Sequence, residues 1–196
     1  KGLDGRYYCL DFARYMPPEP PVPGLKGAIL YRLLRPELVA RFPKPLSPDA
    51  FCNIGLHDKH IHNEEVKEAF KYLQEEVIHR VAKELDEAEE ENSQKLRDAL
   101  HAVGVNIRYM GIVRSKCEKA KVRQALLREM FARVMKCEMR SRQREEMRYK
   151  GFPAEQPYIK IVVEYINSVL AENKPFERDL LESVQEKFIE ALTPQE

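Results

Sequence analysis

Tryptophan is absent from this 196-residue sequence, glycine occurs only 8 times, and no apolar run approaches the length of a membrane span. A helix crossing a bilayer needs about 20 mostly apolar residues, so a helical membrane span is excluded. Cysteine is sparse: Cys9, Cys52, Cys117 and Cys137 come no closer together than the twenty residues between the last two. That spacing excludes a CxxC zinc ribbon and a small disulfide scaffold, and reads as reduced thiols in a cytosolic protein. No GxGxxG, P-loop or GxSxG stretch is present, so the common nucleotide-binding loops and the nucleophile elbow are missing. A net charge of +1 excludes whole-chain attraction to nucleic acid. The first residues do not read as a signal peptide, and the chain opens inside a turn rather than at Met, which points to a piece of a longer protein.

What is present is 43% apolar and 33% charged residues, the composition of a globular chain with long, solvated helices. Asp4-Gly5 is a turn signal, and the aromatic run Arg6 to Phe12 after it reads as a strand. Residues 17–24, PPEPPVPG, hold five of the thirteen prolines and read as a stiff, extended connector. Pro36 and Glu37 suit a first helical turn, followed by the stripe Leu38, Val39 and Phe42. A long amphipathic helix is expected from a cap at Asn63, with Val66, Phe70, Leu73, Val77, Val81 and Leu85 inward. Ser93 is the expected cap of the next helix, Gly104 its C-terminal stop, and Asn106 the cap of a further one. A helix over roughly 118–148 places Leu127, Met130, Phe131, Val134 and Cys137 on one face. Helices over 158–171 and 176–192 complete a mainly α chain with a small β strand or hairpin at its N-terminal edge.

Charge is segregated. Between Glu64 and Asp98 there are twelve acids and six bases; between Arg108 and Lys150, fourteen bases and five acids. Opposite the apolar face of the 118–148 helix lie Lys121, Arg128, Arg133, Lys136 and Arg140. They form either a basic stripe for phosphates or an acidic protein, or the partner of the acidic region. His57, Asp58, His60 and His62 are the residue types of a metal site, but their spacing fits neither a helical pair nor a zinc finger, and a polar loop is the simpler reading. Cys117 and Cys137 sit among bases that would lower a thiol pKa, while Cys137 on the apolar face reads as packing. Arg108, after Gly104 and Asn106, reads as an interior clamp on helix ends, with ligand anchoring the alternative. Neither a catalytic site, a metal nor a cofactor is expected.

Six ordered segments resemble the Clu (clustered mitochondria) family. GLDGRYYCLDFARYMPPE, with Asp4, Gly5 and Arg6, resembles its Gly-x-Asp-Gly-Arg turn and aromatic strand. RLLRPELVARF and LSPDAF resemble the next two motifs. LRDALHAVGVNIRYMGIV, with Gly104, Asn106, Arg108 and Tyr109, resembles the Leu-His-x-x-Gly-Ile-Asn-x-Arg-Tyr stretch. LLREMFARVMKCEMR and IVVEYINSVLAENKPF resemble the part akin to a subunit of translation initiation factor three. The resemblance implies residues 1–60 as the end of a Clu-type domain with its Pro-rich linker, and 61–196 as a helical region. It implies a non-enzymatic, cytoplasmic scaffold concerned with mitochondrial distribution. It further implies protein partners from the translation machinery or around mitochondria, and association with mRNA. Direct RNA or ribosome binding through the basic helix face is the alternative. Oligomeric state is left open.

Overall fold

The computed structural model describes residues 2–8, 15–52, 58–150, 157–171 and 174–192. These are mainly helical, and they divide into two compact units: Lys1–Val81 with Arg97–Ile107, and Ala82–Leu96 with Arg108–Glu196.

In the first unit the Asp4-Gly5 signal forms its turn. Gly5 takes φ 78°, its N–H reaches the Gly2 carbonyl (3.0 Å), and the Asp4 carboxylate accepts from the Arg6 N–H (3.1 Å) and the Tyr8 hydroxyl. The expected strand does not follow. Residues 6–8 have no strand structure, and 9–14 lie outside the described residues. Among the described residues the β pairing is a single antiparallel bridge, Pro18 to Leu33. The prolines account for its brevity. Pro17, Pro18, Pro20 and Pro21 have no N–H, so on their side only Glu19 donates, to the Arg32 carbonyl at 2.7 Å, while Leu34 N–H donates back to the Pro17 carbonyl at 2.8 Å. The connector is also less solvated than its composition implies, since Pro17, Pro18 and Glu19 are buried and Glu19 Oε2 holds Arg32 Nε at 3.0 Å.

Helix α1 (Pro36–Arg41) has Pro at its first position and Arg35 extended before it. Helix α2 (Lys59–Tyr72) starts four residues before the expected Asn63 cap. Asn63 is engaged elsewhere: its Oδ1 accepts from Phe51 N–H (2.6 Å), holding that residue at φ 60°. A π turn over Leu73–Val77 joins α2 to α3 (Ile78–Ala88). Val66, Ala69, Leu73, Val77 and Val81 are buried along this run. Helix α4 (Ser93–Ala102) starts where expected, but Asn92 supplies the cap, its Oδ1 accepting from Gln94 (2.9 Å) and Lys95 (3.2 Å) N–H groups. Gly104 closes α4 in a Schellman turn. Its N–H bonds to the His101 carbonyl and that of Val105 to Leu100 (both 2.9 Å), with Leu100 and Val105 fully buried.

The second unit is organised on α6 (Ala120–Lys150), whose 31 residues span about 46 Å at 1.5 Å per residue. It is not continuous with α5 (Met110–Lys116), because Cys117 is extended (φ −75°, ψ 138°) between them. The start of α6 is capped from α3: Asp86 accepts from the backbone N–H groups of Glu118 (2.7 Å) and Lys119 (3.1 Å). Asp86→Ala leaves both helix-start N–H groups without that acceptor. It is expected to cost about 1–2 kcal/mol, measured as a shift in denaturant midpoint, with Asp86→Asn recovering part of the loss. Helix α7 (Pro157–Leu170) packs beside the C-terminal half of α6, where Tyr165 is buried and donates to Glu138 Oε2 (2.6 Å), with the Arg142 guanidinium 5.0 Å from its ring. Helix α8 (Lys174–Lys187) runs from Phe176, edge-on to Tyr165, back toward α5. There Phe188 and Ala191 are buried. The apolar face of α6 is rotated from the expected one: Leu126, Met130 and Val134 are buried, Leu127 and Phe131 only half so, and Cys137 is exposed.

Candidate interaction surface

The five expected basic residues all lie on α6, but the structure divides them. Arg128 stands 3.8 Å from Glu91, and Arg133 Nε is bound by Glu129 Oε1 one turn earlier at 2.7 Å. Lys121 lies near Glu89, which is already paired with Lys119 at 2.8 Å; these bases hold the Glu89 carboxyl below its usual range. The N-terminal half of the stripe therefore meets the acidic residues 89–91. Lys136 and Arg140 are exposed with no ion-pair partner among the described residues, and so are Arg144 and Arg148, which lie beyond the five expected positions. These four recur at steps of four, about 6 Å of rise apiece, and form one ridge. At 100° per residue the ridge lies away from Glu138 and Arg142, the side chains that meet α7. The repeat itself was a readable signal for Arg144 and Arg148.

A fully buried arginine stands six residues after Arg108, the position expected to clamp helix ends. Arg108 is half-buried in the 3-10 turn Ile107–Tyr109, beside buried Tyr109, and Asn106 precedes that turn, half-buried. The buried arginine is Arg114, 1% exposed, whose Nε donates to the Arg123 carbonyl (3.1 Å) and Nη1 to the Ala191 carbonyl (2.8 Å). It joins α5, α6 and the residues after α8. Gly111, one turn earlier, allows that approach: a Cβ there would stand 2.2 Å from the Ile189 carbonyl oxygen.

His60 and His62 lie in the first turn of α2 and not in a loop; His60 is exposed and His62 Nδ1 faces Glu65 Oε2 at 3.4 Å. His57 and Cys9 lie outside the described residues, among which no three His, Cys, Asp or Glu side chains are grouped to hold a metal. The basic surroundings of Cys117 do not lower its pKa. Burial, then the Asp86 carboxylate, push the thiol up to about 12, and Sγ points at the Ala82 carbonyl (3.8 Å). Iodoacetamide at pH 8 is therefore expected to modify Cys137 well before Cys117 or buried Cys52. Peptide mass spectrometry over a time course would show this, and equal labelling of Cys117 in the folded chain would contradict it.

The model of the family "Translation initiation factor eIF3 subunit 135" matches residues 90–187. The chain belongs to that family. The match is half of the 196 residues and carries α4 to α8, including the basic ridge, Gly111 and Arg114. The Clu-like motifs before residue 90 stand outside the matched eIF3 subunit 135 segment. No curated protein and no solved structure matches the chain. No helix among the described residues is long and apolar enough to cross a membrane.

Proposed function

We propose that the chain is a non-enzymatic docking module of a cytoplasmic protein, binding the translation initiation machinery through the outer face of α6. The family match supplies the translation context, and one observation carries the surface: Lys136, Arg140, Arg144 and Arg148 form an exposed cationic ridge about 18 Å long within the matched segment. Four cations at a regular step on a rigid helix present a fixed pattern to an acidic protein face, and such contacts give orientation and association rate more than raw affinity. In the full-length protein this docking would serve mitochondrial distribution and mRNA association, as the Clu resemblance implies.

The chain should bind purified translation initiation factor eIF3 in a sedimentation assay. Replacing Lys136, Arg140, Arg144 and Arg148 by Gln should weaken binding at least tenfold while leaving the melting temperature unchanged. Unaltered binding by that variant would remove the ridge from the site, and no binding by the parent chain would end the reading. The RNA alternative is supported by the same open cations. It requires the chain to bind a single-stranded homopolymer at low salt, with a log–log salt slope that falls by about 0.7 for each cation removed.

A further inference from the structure

Helix α7 is apolar over far more of its circumference than its own unit covers. At 100° per residue, Ile161, Val162, Tyr165 and Val169 lie on the side toward α6, buried or half-buried. Ile159, Val163, Ile166 and Leu170 form a second stripe within about 60° of arc, roughly a third of a turn away. They remain 53%, 51%, 43% and 74% exposed. A helix apolar on both sides is ordinarily covered on both. Beyond Val134 no residue of α6 with a described side chain is fully buried either, so the α6–α7 hairpin has little core of its own.

We propose that this stripe pairs antiparallel with the same stripe of a second copy of the chain. The spacing selects that occupant. Steps of four, three and four read the same in both directions, so an antiparallel copy sets Ile159 against Leu170 and Val163 against Ile166. A two-fold contact needs such a self-complementary patch. Charge agrees: the only ionised side chains of α7 are Lys160 and Glu164, off the stripe and 3.7 Å apart in one helix. The seam therefore carries no net charge to repel its copy, or to select an acidic or basic partner instead. Area sets the strength. Four half-exposed aliphatic side chains offer roughly 400 Å² per copy, about half of the ~800 Å² per partner in a stable interface. The pair is therefore weak and concentration-dependent. It leaves the cationic ridge, on the other side of α6, free for a different partner.

Sedimentation equilibrium of the full chain over a hundredfold concentration range should show a reversible monomer–dimer equilibrium. Val163→Asp with Ile166→Asp should shift the midpoint at least thirtyfold upward while helicity by circular dichroism stays unchanged. A mixture of Val163→Cys and Ile166→Cys chains should crosslink 163 to 166 in preference to 163 to 163 or 166 to 166. If the aspartate variant loses helicity, the cysteine mixture decides the question on its own. A parent chain that stays monomeric at millimolar concentration, an aspartate variant with an unchanged midpoint, or preferential same-residue crosslinks would overturn the proposal.

Discussion

Gly104→Ala is expected to lower the stability of the chain by about 2–5 kcal/mol, seen as a fall in denaturant midpoint with an unchanged slope. Two effects add. Gly104 holds φ 85° as the closing residue of the Schellman turn, where an L side chain costs about 1–2 kcal/mol. An added Cβ would also stand 2.5 Å from the backbone N of Leu38 and 2.7 Å from its Cα. Leu38 is fully buried in α1, so the backbone of that helix must shift, an overpacking cost of about 1–3 kcal/mol. Gly104→Asn separates the two, because asparagine tolerates the left-handed region but brings the same Cβ. It should recover only the conformational part. If Asn equals Gly in stability, the close approach to Leu38 has been overestimated.

The turn at Gly104 was legible because its cause is local: a helix that must stop and a residue without Cβ lie together in the sequence. Pro36 at the first position of α1 was legible for the same reason. Asn63 misled because Asn before two glutamates satisfies the capping rule, while its Oδ1 is taken by Phe51, twelve residues back. The face of α6 was misjudged by about one residue, Leu127 for Leu126. Both are leucines, and what α5 and α8 present to the helix decides between them. The mainly helical fold was readable from apolar periodicity, and the expected strand was not realised in residues 6–8. At the candidate surface the basic character was plain from composition. Which cations stay open was not, since Glu91 reaches Arg128 across 37 residues of chain. Only the Glu129–Arg133 pair, at helical spacing of four, was there to be read.

Arg114→Met should destabilise the second unit by about 2–4 kcal/mol, and the loss should be concentrated in the residues after α8. Methionine keeps much of the buried volume but cannot donate, so the carbonyls of Arg123 and Ala191 lose the guanidinium bonds they now accept. Leaving a buried acceptor unsatisfied costs about 1–3 kcal/mol. Part of that is offset because a guanidinium no longer has to be desolvated. Arg114→Lys should fall between the two, since one ammonium cannot reproduce the two directions of the fork. The same segment depends on Gly111, where an added methyl would meet the Ile189 carbonyl oxygen at 2.2 Å. The bond from Ser115 Oγ to Glu190 Oε2 (2.7 Å) is a third tie, solvent-exposed and weaker. If Arg114 and Gly111 both act by seating residues 188–191, then once either substitution has released that segment the other has little left to lose. The double variant Gly111→Ala with Arg114→Met should accordingly be no less stable than the worse single variant by more than about 0.5 kcal/mol, the usual tolerance for additivity. Hydrogen exchange should show protection lost first at Phe188 and Ala191, while the amides of α6 around Met130 stay protected. Additive losses in the double variant, or a uniform loss of protection across α6, would mean that Arg114 supports the core at large and not the seating of the residues after α8.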